Sequence, residues 1–254
     1  MPTVICVANQ KGGIGKTTTA TAIATILDDL GHKTLFIDAD PQCNSTDTYR
    51  AAVQDTPTLY DVILDLEDPL PIMEAIQHTE IGDIIACDPL LKEADTMFPD
   101  DGKTYSRLRN ALSSLTGYEY VVMDTGPADN KLLKNCLVAS DLVIIPVNAD
   151  RYSIQGLSGF YQSIMEQKQK NNPKLRIAGI LLTKYKARQT LAQEVLNALN
   201  DIAKQMNTRV FTIRESAATP KSQATRTALI RYNRKCTTAI DYQNLVAALL
   251  KGDC

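Results

Sequence analysis

Apolar residues gather in short runs with almost no polar alternation, at 4–8, 34–37, 84–87, 120–123, 142–147, 177–182 and 210–213. Such runs suit strands covered on both faces, as in a parallel sheet. Between them apolar positions recur at helical spacing, at 17–30, 104–115, 131–139, 154–169, 191–205 and 238–250, which predicts amphipathic helices. Strand and helix alternate along the chain, so the expected fold class is α/β: a single doubly wound, mainly parallel sheet flanked by helices. Two stretches depart from the rhythm. Residues 41–71 are less regular, with a short helix expected at 59–66, and residues 89–102 read as an irregular acidic excursion.

The length of 254 residues and a hydrophobic share of 44% are enough for one substantial core, so residues 1–254 are expected to form one domain. The first strand begins within three residues of the start, and no apolar stretch is long enough to span a bilayer. Both observations predict a cytoplasmic protein. The six cysteines, Cys6, Cys43, Cys87, Cys136, Cys236 and Cys254, include no C-x-x-C pair, so they read as reduced thiols rather than a zinc site or a disulfide framework.

The net charge of −2 conceals an asymmetry. Residues 174–235 carry 13 Lys and Arg against three Asp and Glu, a local charge of +10, which leaves −12 on the rest. A basic segment on an acidic body is the pattern expected where one face meets a polyanion.

The chemistry concentrates at the ends of the expected strands. The first strand runs into Lys11-Gly12-Gly13-Ile14-Gly15-Lys16-Thr17-Thr18, a phosphate-binding loop in which Gln10 replaces the usual first glycine and a second lysine follows at once. Gly12, Gly13 and Gly15 let successive backbone N–H groups form an anion-binding nest at the mouth of the next helix. Lys16 supplies a point charge for β/γ-phosphates and Thr17 a hydroxyl for Mg²⁺. Lys11 is left over, either a solvated charge or a cation for a phosphate held by another subunit. The second strand ends in Asp38-Ala39-Asp40-Pro41-Gln42 and the fourth run ends in Asp124-Thr125-Gly126-Pro127. In a doubly wound fold these carboxylates converge on the phosphate loop, where acids hold metal-bound water or orient an attacking water.

Taken together, these blocks resemble the ParA/Soj-type partition ATPases, P-loop NTPases of the deviant Walker A type that also include MinD and the nitrogenase iron protein. The similarity rests on Asn9 to Thr18, on Phe36 to Asn44, on Val121 to Pro127, on Ala139 to Val147 and on Leu181 to Tyr185. The resemblance implies a weak ATPase that uses ATP and Mg²⁺ and pairs into a homodimer with ATP. Lys11 would be the signature lysine reaching the partner's nucleotide. Gly12, Gly13, Ile14, Gly15, Lys16, Thr17 and Thr18 would cradle the phosphates. Thr17, Asp38 and Asp124 would serve the metal, Asp40 would be the hydrolytic aspartate, and Thr183, Lys184 and the segment from Arg214 to Pro220 would surround the base. One departure stands out: the family commonly has two adjacent prolines after the aspartate matching Asp124, whereas this chain reads Thr125-Gly126-Pro127, which predicts a more mobile switch loop.

The resemblance also gives the basic segment a role, because the ATP-bound dimer of that family binds double-stranded DNA without sequence preference. Lys221, Arg226, Arg231, Arg234 and Lys235 are the candidate phosphate contacts, chosen because few acids lie near them in sequence. A ParB-like centromere-binding adaptor protein would be the partner that stimulates hydrolysis, and the ATP-bound form would associate with the nucleoid. Two alternatives share the nucleotide site: an ATPase positioning a protein cargo, and a MinD-like membrane switch. The second needs a basic amphipathic tail, whereas residues 242–254 read as a last core helix, so no membrane partner is expected.

Overall fold

A computed structural model describes residues 1–65, 68–99 and 101–252. All seven apolar runs lie on strands or run off the end of one: β1 (Thr3–Val7), β2 (Thr34–Ala39), β4 (Asp83–Ile85), β5 (Tyr120–Thr125), β6 (Leu142–Asn148), β7 (Arg176–Tyr185) and β8 (Val210–Arg214). An eighth strand, β3 (Ile76–His78), was not legible as a run. Ile76 and Gln77 are only partly buried and His78 is exposed, and the strand joins the sheet edge antiparallel to β4. The order is β3-β4-β2-β5-β1-β6-β7-β8, and every pairing except β3 with β4 is parallel.

Side chains of β1 alternate between two cores. Val4 and Cys6 pack on one face with Leu35, Val121 and Ile145, and Ile5 and Val7 pack on the other with Phe36, Val122 and Ile144. Burial on both sides removes the pressure for polar alternation, which explains the uninterrupted apolar runs. The second face is covered by α1 (Lys16–Asp29), α10 (Leu229–Tyr232) and α11 (Thr237–Leu250). α1 and α11 are joined by a buried hydrogen bond of 2.9 Å between Thr19 Oγ1 and Tyr242 Oη. The described part of the chain's last helix is therefore a core element, as the sequence suggested. The other face is covered by α3 (Leu59–Ile63), α4 (Ala94–Met97), α5 (Arg107–Leu112), α6 (Lys131–Ala139), α7 (Arg151–Lys170) and α8 (Thr190–Gln205).

Three expectations are corrected. The strand expected at 84–87 ends at Ile85, because the Cys87 N–H leaves the ladder and donates to Thr46 Oγ1 at 2.9 Å. The helix expected at 104–115 shrinks to α5, because the Thr104 hydroxyl bonds back to the Pro99 and Asp101 carbonyls and holds a turn ahead of it. The helix expected at 59–66 is α3, capped reciprocally by Thr58 and Asp61; Leu66 lies outside the described residues, as does Cys254. The acidic stretch after β4 is partly ordered as a 3₁₀ turn (Pro89–Glu93) followed by α4.

Candidate functional site

The carboxyl edge of the sheet holds a cavity of about 730 Å³ lined by Gly12, Gly13, Gly15, Lys16, Thr17, Thr18, Asp40, Thr183, Lys184, Arg214 and Pro220. All of these were singled out from sequence. Ile14 was too, but its side chain is core and 1% exposed, so it offers the loop only its backbone. Its carbonyl lies 2.9 Å from Thr183 Oγ1, which ties the glycine loop to the end of β7.

Gly13 and Gly15 take positive φ, 70° and 89°, and Gly15 caps the start of α1. A side chain at either position would strain the loop, and the first-turn amides of α1 are left pointing into the cavity. Lys16 opens that helix. Its side chain is buried, Nζ donates to Lys11 O at 2.9 Å, and no salt bridge reaches it among the described residues. Burial pushes its pKa down, opposed by Asp124 and Asp40. A buried ammonium without a bound carboxylate stands ready for an anion from outside.

Opposite it sit the aspartates. The β2–β5 register pairs Asp38 directly with Asp124, and both are fully buried. Asp38 Oδ2 accepts from Thr46 N and Oγ1, each at 2.8 Å, and Asp124 Oδ2 accepts from Ser45 Oγ at 2.8 Å. Ser45 and Thr46 belong to α2 (Asn44–Tyr49), which had no apolar signal in the sequence. Burial raises Asp38 to about 6, and burial plus the neighbouring Asp38 raises Asp124 to about 7, an effect that the Thr17 and Ser45 hydroxyls partly offset. Asp124 Oδ1 is buried with no hydrogen-bond partner among the described residues. An orphaned carboxylate oxygen, paired acids and a nearby hydroxyl fit a hard divalent cation. Asp40 is buried at the cavity edge, with Oδ1 3.1 Å from Gln42 N.

Gly126 has no positive φ; a Cβ there would come within 3.2 Å of Asp40 Oδ1. The glycine thus makes room for Asp40. Lys11 does not line the cavity. Its ammonium donates to Asp150 Oδ2 at 2.6 Å, and Asp150 caps the N-terminus of α7 through Tyr152 N and Ser153 N. Asp150 was not found from sequence, because only the fold brings it across 139 residues to the loop.

At the far end, Lys184 adopts a positive φ of 52° and its Nζ donates to Gly13 O at 3.1 Å, so the end of β7 is strapped to the glycine loop. Arg214, on the cavity wall, makes a bidentate pair with Asp241, with a shortest contact of 2.6 Å. Ser216 also lines the cavity and carries a buried hydroxyl with no hydrogen-bond partner among the described residues. Gln223 of α9 (Ala218–Ala224), not found from sequence, donates to Thr18 Oγ1 at 3.1 Å.

The five basic candidates divide. Lys221 and Lys235 are exposed. Arg226 pairs with Asp47 at 3.1 Å, Arg231 with Asp28 and Asp29 at 3.3 and 2.9 Å, and Arg234 with Asp29 at 3.5 Å. The few acids near them in sequence are joined by others from α1 and α2, remote in sequence and adjacent in space.

An AAA domain family model matches residues 2–177. The chromosome partitioning protein ParA of Caulobacter vibrioides is 31% identical over 98% of this chain and 94% of that protein. The sporulation initiation inhibitor protein Soj of Bacillus subtilis is 33% identical over 75% of this chain and 73% of its own length. Among solved structures, cobyrinic acid a,c-diamide synthase from Mycobacterium smegmatis with bound ATP analog and magnesium matches with a TM-score of 0.84 at 28% identity, covering 99% of this chain and 95% of that one. A plasmid partition protein from Borrelia burgdorferi matches with a TM-score of 0.77 at 25% identity, covering 99% of both chains.

Proposed function

Because the chain belongs to the ParA/Soj family of P-loop ATPases, we propose that it is the ATP-driven switch of a DNA partition system. In this reading it pairs around ATP, binds DNA without sequence preference and lets go after hydrolysis stimulated by a ParB-like adaptor. The observation that carries the nucleotide half is the facing arrangement of a buried Lys16 and an Asp38–Asp124 pair, with no salt bridge to the lysine and one carboxylate oxygen unpartnered among the described residues.

ATP and Mg²⁺ suit this site. The glycine-loop amides and Lys16 hold the phosphates, and Thr17 with Asp38 and Asp124 holds the cation directly or through water. Bound there, Mg²⁺ neutralises charge on the β/γ-phosphates. Asp40 lines the same cavity, where its carboxylate would orient a water in line with the γ-phosphate. Thr183, Lys184 and the Arg214-to-Pro220 segment enclose the base. Lys11, held on Asp150 within one subunit, is the cation that reaches a partner's nucleotide when two subunits meet. Slow turnover suits such a device, because the lifetime of the ATP state sets how long DNA is held.

The basic segment supports the DNA half of the reading, with Lys221, Arg226, Arg231, Arg234 and Lys235 as phosphate contacts and a nucleoid-associated ATP form as the consequence. Fluorescence-anisotropy binding of a random-sequence duplex with ATP, with ADP and without nucleotide tests it. Binding with ATP alone is expected; equal binding in all three conditions would remove the switch.

A further inference from the structure

Cys43 stands three residues after Asp40, at the entry to α2, and adopts a left-handed backbone with φ 56° and ψ 28°. This conformation favours glycine, and a side chain kept there is a reason to ask what it does. The turn is closed by Cys43 N donating to Asp40 O at 2.8 Å. The half-buried Cys43 thiol donates to Pro41 O at 3.6 Å and to Cys87 O at 3.5 Å, and the Cys87 thiol donates to Asp88 O at 3.5 Å, which places the two cysteines side by side. Cys87 is fully buried just beyond β4, with its N–H on the same Thr46 hydroxyl that bonds Asp38. Two neighbouring cysteines, one with its thiol within reach of solvent, therefore span the Asp40 loop and the neighbouring strand end. Cys6 and Cys136 also interact, but both are fully buried and sealed from solutes. Nothing in the nucleotide chemistry above uses Cys43 or Cys87.

We propose that Cys43 and Cys87 form an oxidisable dithiol whose disulfide fixes the Asp40 loop and slows hydrolysis. The oxidant is a hydroperoxide. The Cys43 thiolate attacks the peroxide, the O–O bond breaks, and Cys43 becomes a sulfenic acid while the leaving hydroxide takes a proton to become water. The Cys87 sulfur then attacks the Cys43 sulfur, and the sulfenic oxygen leaves with the Cys87 proton as a second water. Two thiols and one hydrogen peroxide give one disulfide and two waters; the thiols lose two electrons and the peroxide gains them. Because Cys43 Sγ already lies 3.5 Å from the Cys87 backbone carbonyl, side-chain rotation suffices to bring the two sulfurs to bonding geometry. A thiol reductant reverses the bond, as a cytosolic switch requires.

Formation of the bond does not depend on the assigned activity, whereas its effect on turnover rests on the ATPase reading. The test exposes the purified protein to hydrogen peroxide, alkylates it, maps its peptides without reductant and measures ATP turnover on the same samples. The expected result is a linked peptide pair carrying Cys43 and Cys87, with turnover down about tenfold or more, the scale on which a displaced hydrolytic group acts, and recovered with dithiothreitol. Cys43→Gly suits the left-handed backbone, and it keeps its turnover under peroxide. In Cys87→Ala, Cys43 is expected to stop at a sulfenic acid that dimedone traps. Oxidation of half-buried Cys236 with the Cys43–Cys87 pair still reduced would overturn the proposal. So would a disulfide without loss of turnover, or equal loss in Cys43→Gly. A protein inactive before oxidation would count against the ATPase reading alone, since the peptide map still decides the disulfide.

Discussion

Asp38 and Asp124 are where single residues matter most. Their folded-state values of about 6 and about 7 lie above the roughly 3.9 of an exposed aspartate. Between about pH 4 and 7 the folded protein therefore binds more protons than the unfolded one, and stability is lost as pH rises through that window. Thermal melts of nucleotide-free protein are expected to shift upward from pH 7 to pH 5.5, and Mg²⁺ with ATP to flatten the trend by holding both carboxylates ionised. A melt that falls over this interval without ligand would contradict the assignment. Gly126 gives a second expectation. A methyl group 3.2 Å from Asp40 Oδ1 pushes the carboxylate off its line, so Gly126→Ala should cut kcat about tenfold or more while leaving ATP affinity within about twofold. Single-turnover kinetics beside equilibrium ATP binding separates the two. Asp40→Ala should bind ATP and hold the dimer without turnover, as seen by size-exclusion chromatography with ATP.

Whole elements were legible to the degree that they carry a periodic apolar pattern. β1, β2, β5, β6 and β7 are buried on both faces and announce themselves, and α6 matches its expected span. β3 and α2 left no such signal: the first is a three-residue edge strand, and the second is Asn44–Tyr49, polar almost throughout. Yet α2 supplies Ser45 and Thr46 to the two buried aspartates, so the site's main supports came from an element the pattern hides. The glycine loop and the acids were readable because their spacing is local; the bonds from Asp150 to Lys11 and from Lys184 to Gly13 depend on tertiary proximity. The docking of α11 on α1 is testable at the same scale. Tyr242→Phe removes the bond to Thr19 and strands a buried hydroxyl, so it should cost about 1–2 kcal/mol with an unchanged denaturant slope in urea melts.

Across the whole molecule, the strand order brings β1, β2 and β5 together at the centre of the sheet, so the loop and both buried aspartates share one edge, while Arg231 and Arg234 gather at the opposite end of α1. Neutralising Arg231, Arg234 and Lys235 is expected to weaken DNA binding at every sequence tested. The arginine pairs give that measurement an unusual form. A basic protein that grips DNA ordinarily sheds mobile ions into solution, and the entropy of that release sets the steep fall of affinity with salt. Here Asp28, Asp29 and Asp47 are counter-ions fixed to the protein, and they cannot diffuse away when phosphate displaces them. The affinity should therefore fall less steeply with salt than the number of arginines implies, and Asp29→Asn should both tighten binding and steepen the slope.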